Sequence, residues 1–428
     1  MLSKITASIL FLLFVSFSVT GQINYSAYYH ETGAVRYDFN LVGDHHSLAV
    51  VHQQTKYLPL WGGNPDALVS GSDYGTYRYQ LTDKETGTLI FQKGFSPIFW
   101  EWQDTREALL RKRVFMQSLF FPKPKADVII SLQTRDSLNC WSIVYTDTLF
   151  VDDYFIVNEN VSILNIDTLI YHGTASEKID LVILAEGYQE HEMPKFIADA
   201  TRLSNYLFSV EPFAVYKGRF NVFALKVPSQ QSGTDVPGEA IYKKTAFNSH
   251  FYTFDSPRYL TTSDMKTVYD AVDALAWDQL YLLVNEERYG GGGFYNFISV
   301  STSDNVYSPF VFCHEFAHGF AGLADEYYSP STAYEEYYRL DVEPWEPNIT
   351  TLVNFESKWK AMVNKETPVP TPRDSAYQHK VGVYEGGGYQ SKGIYSPMQT
   401  CWMKEQAAGA FCPACQKAIE KVILSQTK

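Results

Sequence analysis

The chain has 428 residues, too many for one ordinary hydrophobic core, so two or three folded units are expected. A net charge of −13 with no basic cluster argues against nucleic acid as a partner and bears mainly on solubility. The 31 Tyr and 28 Phe favour β-structure and polar-edged binding surfaces, while five cysteines are few for a disulfide scaffold.

Residues 1–21 carry Lys4 near the front, an apolar run from Ile5 to Val15, and small residues up to Thr20 and Gly21. The run is shorter than the roughly 20 residues of a membrane-spanning helix, and polar chain follows at Gln22, so the segment reads as a secretory signal peptide. The mature protein is therefore expected to be secreted, periplasmic or held at the cell surface. No later stretch is long and apolar enough to span a membrane.

Residues 22–166 contain strand-like runs, among them Tyr77–Leu81, Asp127–Gln133 and Trp141–Tyr145, separated by turn signals at Gly62-Gly63-Asn64-Pro65 and Thr86-Gly87. The spacing predicts an N-terminal β-sandwich domain. Glu107–Phe121 fits either a helix or a strand pair. His45 and His46 are adjacent and would point apart on a strand, which suits a surface position rather than a metal site. Nothing in this region is arranged like a catalytic site, so it is expected to pack against or aim the unit that follows.

A composition change over Ile166–Glu177 marks a boundary, and residues 167–428 form the expected catalytic domain. Ile179–Gly187, Arg219–Val227 and Asp278–Asn285 read as strands. Met193–Phe208 reads as a helix with Met193, Phe196, Ile197, Ala200, Leu203 and Leu207 on one side, and Lys266–Leu275 as another. This is the start of an α/β arrangement. Gly290–Gly293 leads into a strand rather than a helix, which argues against a phosphate loop. It reads either as a flexible hairpin or, the reading preferred here, as an edge strand carrying Phe294, Asn296 and Ile298, whose free backbone groups would pair with an extended peptide.

The densest chemistry follows. His314 and His318 are four residues apart, so on a helix both imidazoles project from one face at a separation one Zn²⁺ can bridge. Glu315 stands next to the first histidine, placed to act as general base on a zinc-bound water nucleophile. The flanking Val311, Phe312, Phe316, Ala317, Phe320 and Ala321 are apolar, an environment in which unliganded histidines and a carboxylate would be costly to bury. A catalytic zinc usually takes three protein ligands. Gly322 can end the helix by adopting positive φ and turn the chain back so that Asp325 or Glu326 reaches the metal, with Asp325 preferred.

Beyond this, Tyr334–Pro347 is acidic and aromatic, suited to a rim over a cleft or a solvated loop. Met398 and Met403 both qualify for a tight turn that floors the site with a polarisable side chain. Cys412-Pro-Ala-Cys415 is a single pair, where a structural zinc of four thiolates would need two, so a disulfide from Cys401 to Cys412 or Cys415 is the expected use. Ala414–Leu424 reads as a helix.

Taken together, Leu181–Tyr188, Glu211-Pro212-Phe213, Phe220-Asn221-Val222, Pro228-Ser229 with Ser232–Asp235, Tyr289–Gly293, the helix through Tyr327, Cys401-Trp402-Met403 and Phe411–Cys415 give the chain a resemblance to the bacterial IgA metalloendopeptidases, metzincin-like zinc peptidases. The resemblance implies a β-sandwich followed by a peptidase domain, one catalytic Zn²⁺ on His314, His318 and Asp325, Glu315 as base and Met403 as the methionine of the turn. It does not imply immunoglobulin as substrate here. The usual metzincin string places its third ligand where Ala324 stands, one residue short of Asp325, which keeps Glu326 as a competitor.

The function expected is a secreted zinc endopeptidase acting on peptide or protein, with Tyr327 and Tyr395 as candidates to support the oxyanion. A zinc amidase of cell-wall peptides would instead accept short or branched peptides and refuse protein chains. A surface binding protein with a structural metal would have a closed four-ligand site, and the intact Glu315 argues against it.

Overall fold

The computed structural model describes residues 23–69, 71–158, 165–328 and 337–428, and the segment read as a signal peptide lies outside them. After a single turn of helix, α1 (Tyr25–Tyr28), the first half is built from seven strands: β1 (Tyr29–Asp44), β2 (Ser47–Leu58), β3 (Tyr77–Asp83), β4 (Leu89–Phe95), β5 (Arg113–Pro124), β6 (Val128–Arg135) and β7 (Trp141–Leu149), with α2 (Ile98–Gln103) between β4 and β5. They form two antiparallel sheets, ordered β2-β1-β5 and β4-β3-β6-β7.

Alternation explains how the sheets meet. Tyr77, Tyr79 and Leu81 of β3 and Ile130 and Leu132 of β6 turn inward against Tyr37, Phe39 and Leu41 of β1 and Phe115, Leu119 and Phe121 of β5. The Tyr79 hydroxyl crosses the gap to donate to the Phe120 carbonyl at 2.7 Å. Of the two readings of Glu107–Phe121, the strand prevails from Arg113, because its buried positions recur every second residue.

The second half centres on a six-stranded sheet of β8 (Ile166–Ile170), β9 (Ile179–Glu186), β10 (Phe220–Leu225), β13 (Gln279–Val284), β14 (Gly291–Phe294) and β15 (Ile298–Thr302), in the order β14-β15-β13-β9-β10-β8. The four inner strands are parallel and the two edges antiparallel. Strands β9 and β13 are buried at every position, which is why they read as unbroken apolar runs. A short ladder, β11 (Ser249–His250) with β12 (Thr261–Thr262), and a hairpin, β16 (Tyr384–Gly387) with β17 (Gln390–Ser396), complete the strands.

Helices α3 (Met193–Leu207), α5 (Ser308–Ala321) and α6 (Pro413–Gln426) share a core with Ile179, Leu181, Ile183, Tyr281 and Leu283 on one face of this sheet. The other face, through Val182, Leu184, Leu280 and Leu282, shares a core with α4 (Met265–Val272) and with the sandwich. The two halves are thus packed through a common apolar layer. Buried Arg36 of β1 ties them further, reaching Asp38 at 2.7 Å in its own sheet and Asp270 and Asp273, at the end of α4, at 2.7 and 2.9 Å.

Candidate metal centre

Helix α5 begins with Pro309 in its first turn and stops at Gly322, whose φ of 61° and ψ of 32° are left-handed and whose N–H caps the His318 carbonyl at 3.0 Å. Its apolar residues Phe312, Cys313, Phe316, Ala317 and Phe320 are buried, leaving His314, Glu315 and His318 half-buried along one side. The glycine run lets the edge strand approach that side. A Cβ on Gly293 would stand 2.3 Å from the Glu315 carbonyl oxygen, and one on Gly291 would stand 2.7 Å from the Glu315 carboxylate.

Three atoms converge beyond the helix. His314 Nε2 and His318 Nε2 are 3.1 Å apart, and Asp325 Oδ1 lies 3.1 and 3.4 Å from them. Each imidazole donates its Nδ1–H to a carbonyl, His314 to Trp402 at 2.9 Å and His318 to Leu323 at 2.5 Å, which leaves bare Nε2 lone pairs. Asp325 Oδ1 is buried with no hydrogen-bond donor of its own among the described residues. Three acceptors facing one another call for a cation between them. A tetrahedral metal with bonds of about 2.0–2.1 Å has ligand-to-ligand edges of about 3.4 Å, so the triangle fits one face of such a site. The Glu315 carboxylate also comes within 4.8 Å of both imidazole nitrogens.

The electrostatics separate the acids. Burial raises the Asp325 carboxyl, but His318 and His314 outweigh it and hold the group well below the usual carboxylate range. Burial pushes Glu315 up to about 8. Glu326 is turned away: its Oε1 accepts from Cys415 Sγ at 3.0 Å and from Asn348 Nδ2 at 3.0 Å, and burial raises it well above its ordinary value. Between the two competitors the fold brings Asp325 to the histidines. Met403 is fully buried, and the turn containing it supports the centre through backbone: the Trp402 carbonyl holds His314, and the Met403 carbonyl accepts from the Glu326 N–H at 2.6 Å. Met398 packs against the same core from a partly buried position.

Other expectations need correction. Only Phe294 lies on the edge strand; Asn296 sits in the turn at φ 48°, tied to Gln279 and to the Gly94 carbonyl, and Ile298 opens the inner strand β15. The chain reverses between Phe294 and Ile298, so the three never share an edge. That edge is also occupied at Gly291, whose carbonyl accepts from Leu260 N–H at 3.2 Å and whose N–H donates to Arg258 at 3.4 Å. The expected disulfide is not formed: Cys401, Cys412 and Cys415 are free thiols, with Sγ of Cys401 and Cys415 3.7 Å apart, against about 2.05 Å for a bond. Tyr327 is close enough to feel Asp325, whereas Tyr395 is directed by β17 towards Glu385 and Lys392.

Several residues escaped sequence reasoning. Tyr389, after the Gly386–Gly388 run, donates to Asp325 Oδ2 at 2.5 Å; its position after three glycines was the available signal. Asn348 clamps the turn, accepting from Ala324 N–H at 2.7 Å and donating to the Ala324 carbonyl at 2.8 Å. Glu101 comes from α2 of the sandwich, accepts from the Tyr259 hydroxyl at 2.6 Å and is pushed by burial up to about 7. It lines, with Trp100, His318, Asp325 and Tyr389, a cavity of about 390 Å³ between the two halves of the molecule. No local pattern foretells such a contact.

The family described as IgA Peptidase M64 matches residues 168–377 and 373–423, and the one described as Peptidase M64 N-terminus matches residues 24–146. No curated protein matches the chain. No helix among the described residues is long and apolar enough to cross a membrane. With a family match over more than half its length, and three acceptor atoms converging beyond helix α5, the chain belongs to the IgA peptidase M64 family and is a metallopeptidase acting on protein substrates.

Proposed function

We propose that the chain is an exported zinc endopeptidase, led out by residues 1–21, in which His314, His318 and Asp325 hold the metal and Glu315 is the general base. The observation that carries this reading is the triangle of acceptors, 3.1, 3.1 and 3.4 Å on its edges, beside the half-buried Glu315 carboxylate. Two imidazoles and one carboxylate suit Zn²⁺ and leave a position for water. A Zn²⁺ ion held there would polarise the scissile carbonyl and acidify water. Glu315 takes the water's proton onto its carboxylate and passes it to the leaving amine nitrogen, a role favoured by burial that raises its proton affinity. Tyr327, kept protonated by burial and by Asp325, donates its O–H to the developing oxyanion, and the Arg258 guanidinium 5.8 Å from its ring adds positive charge.

Residues 22–166 act as a domain that walls the cleft through Trp100 and Glu101, and residues 167–428 as the peptidase domain. Cleavage of a mixed-peptide library, read by mass spectrometry, tests the reading. The mature chain is expected to cut internal bonds. The Glu315→Gln variant should keep its metal and lose about 10²–10⁴-fold in kcat/KM. Wild-type turnover by that variant would remove Glu315 from the mechanism.

A further inference from the structure

The three thiols expected to pair as a disulfide are instead gathered around a fourth group from elsewhere in the chain. Ligand atoms of Glu326, Cys401, Cys412 and Cys415 all lie within 4.8 Å of one another, and all four residues are buried. The Cys401–Cys415 Sγ separation of 3.7 Å matches the edge of about 3.8 Å expected for two thiolates on a tetrahedral ion with bonds of about 2.3 Å. Glu326 Oε2 is fully buried with no hydrogen-bond partner among the described residues, and Oε1 takes the Cys415 thiol at 3.0 Å, a proton that a cation would replace.

The backbone is arranged for sulfur carrying negative charge. Cys401 Sγ accepts N–H groups from Cys412 at 3.2 Å and Met403 at 3.5 Å. Cys412 is the N-cap of α6 and Cys415 lies in its first turn, where the helix dipole favours thiolate. Lys404 stands close enough to Glu326 and Cys401 for its charge to be felt by both, and its ammonium has no hydrogen-bond partner among the described residues.

We propose that Cys401, Cys412, Cys415 and Glu326 form a second, structural metal site that takes one thiophilic divalent cation, Zn²⁺ above all. Four protein ligands close the coordination sphere, so the site offers no place for substrate. On binding, the three thiols and the Glu326 carboxyl give up whatever protons they hold to solvent, and the ion offsets half of the four negative charges while Lys404 faces the remainder. The ion would cross-link three segments at the base of the cleft: Asp325-Glu326, the turn of Cys401–Met403 that holds His314, and the start of α6. This inference does not depend on the catalytic reading, since it uses none of the three ligands of the cavity site.

The test uses the full mature chain, produced by an exporting host without reductant, and measures metal per chain and the absorption of the Co²⁺-loaded protein. The wild type is expected to hold two ions. The His314→Ala/His318→Ala variant should hold one and keep a thiolate-to-cobalt charge-transfer band, which a site of histidine and aspartate cannot produce. The Cys412→Ser/Cys415→Ser variant should lose that band and one ion. Because the histidine variant leaves the cysteines untouched, the result stands even if the cysteine variant fails to fold. A histidine variant without metal or band would overturn the proposal. So would a peptide map showing Cys401 bridged to Cys412 or Cys415 in the native chain.

Discussion

The cavity side and the buried side of one short segment treat their carboxylates in opposite ways. Asp325 faces two imidazoles and the Tyr389 hydroxyl, and its charge is held in place despite burial. Glu326, the next residue, enters a closed pocket of sulfur, where burial raises its carboxyl well above its ordinary value. The backbone explains the split. The carbonyls of Asp325 and Tyr327 both accept from the β16–β17 hairpin, from Gly388 at 2.8 Å and Tyr389 at 3.0 Å, which fixes the segment with Asp325 towards the imidazoles and Glu326 towards the thiols. What the pair teaches is that a ligand is chosen by the direction of the chain as much as by residue type.

The strongest way to break this comparison is to exchange the roles. Asp325→Ala should release the cavity metal and lower kcat/KM by at least about 100-fold, beyond what losing a supporting contact costs. Glu326→Gln should leave that metal bound. Loss of the cavity metal and of kcat/KM to the same extent in both variants would mean that both carboxylates serve that one centre.

Tyr389→Phe sharpens the cavity side. It removes only the hydroxyl that donates to Asp325 Oδ2, and is expected to weaken metal binding or kcat/KM about 10- to 100-fold while Tm stays near wild type. A metal titration that is unchanged would show that Asp325 needs no second partner.

The smallest effect concerns a buried acidic pair whose partners only partly offset its burial. Asp180 and Asp278 meet at the start of β9 and β13, where the Asp180 N–H donates to Asp278 Oδ2 at 2.8 Å. Burial, and for Asp180 also the neighbouring Asp278, raises both carboxyls above the usual range, more than Asn221 and Lys93 lower them. The folded state therefore binds protons more firmly than the unfolded chain. Stability from this pair is fully present below about pH 4 and is lost as pH rises towards neutrality. Asp278→Asn should raise Tm by roughly 2–4 °C at pH 7 and change little at pH 4. A Tm gain of the same size at both values would assign the effect to packing.

Much of this was legible because local rules dominate where one element suffices. The helical spacing of His314 and His318, the adjacency of Glu315, the left-handed exit at Gly322, the alternation in β3 and the apolar run of β9 are all properties of short stretches. They determined the helix that carries both histidines, the strands of the sandwich and the first strands of the α/β half. The glycine run reads as an edge strand in sequence, but the alternation that carries Asn296 and Ile298 along with it runs on through a turn that only the fold reveals. A φ of 48° at Asn296 ends it.

The tertiary structure decided what no window of sequence contains. It turned Asp325 to the imidazoles and Glu326 to the thiols, brought Tyr389 from a hairpin 64 residues away onto Asp325, and set Glu101 of the sandwich in the wall of the peptidase cavity. It also kept Cys401, Cys412 and Cys415 apart as thiols around a carboxylate. Sequence spacing determines which side chains share a face of one helix or strand. Which faces meet depends on how separate elements bury their apolar surface together, and that sum is settled only when the whole chain is folded.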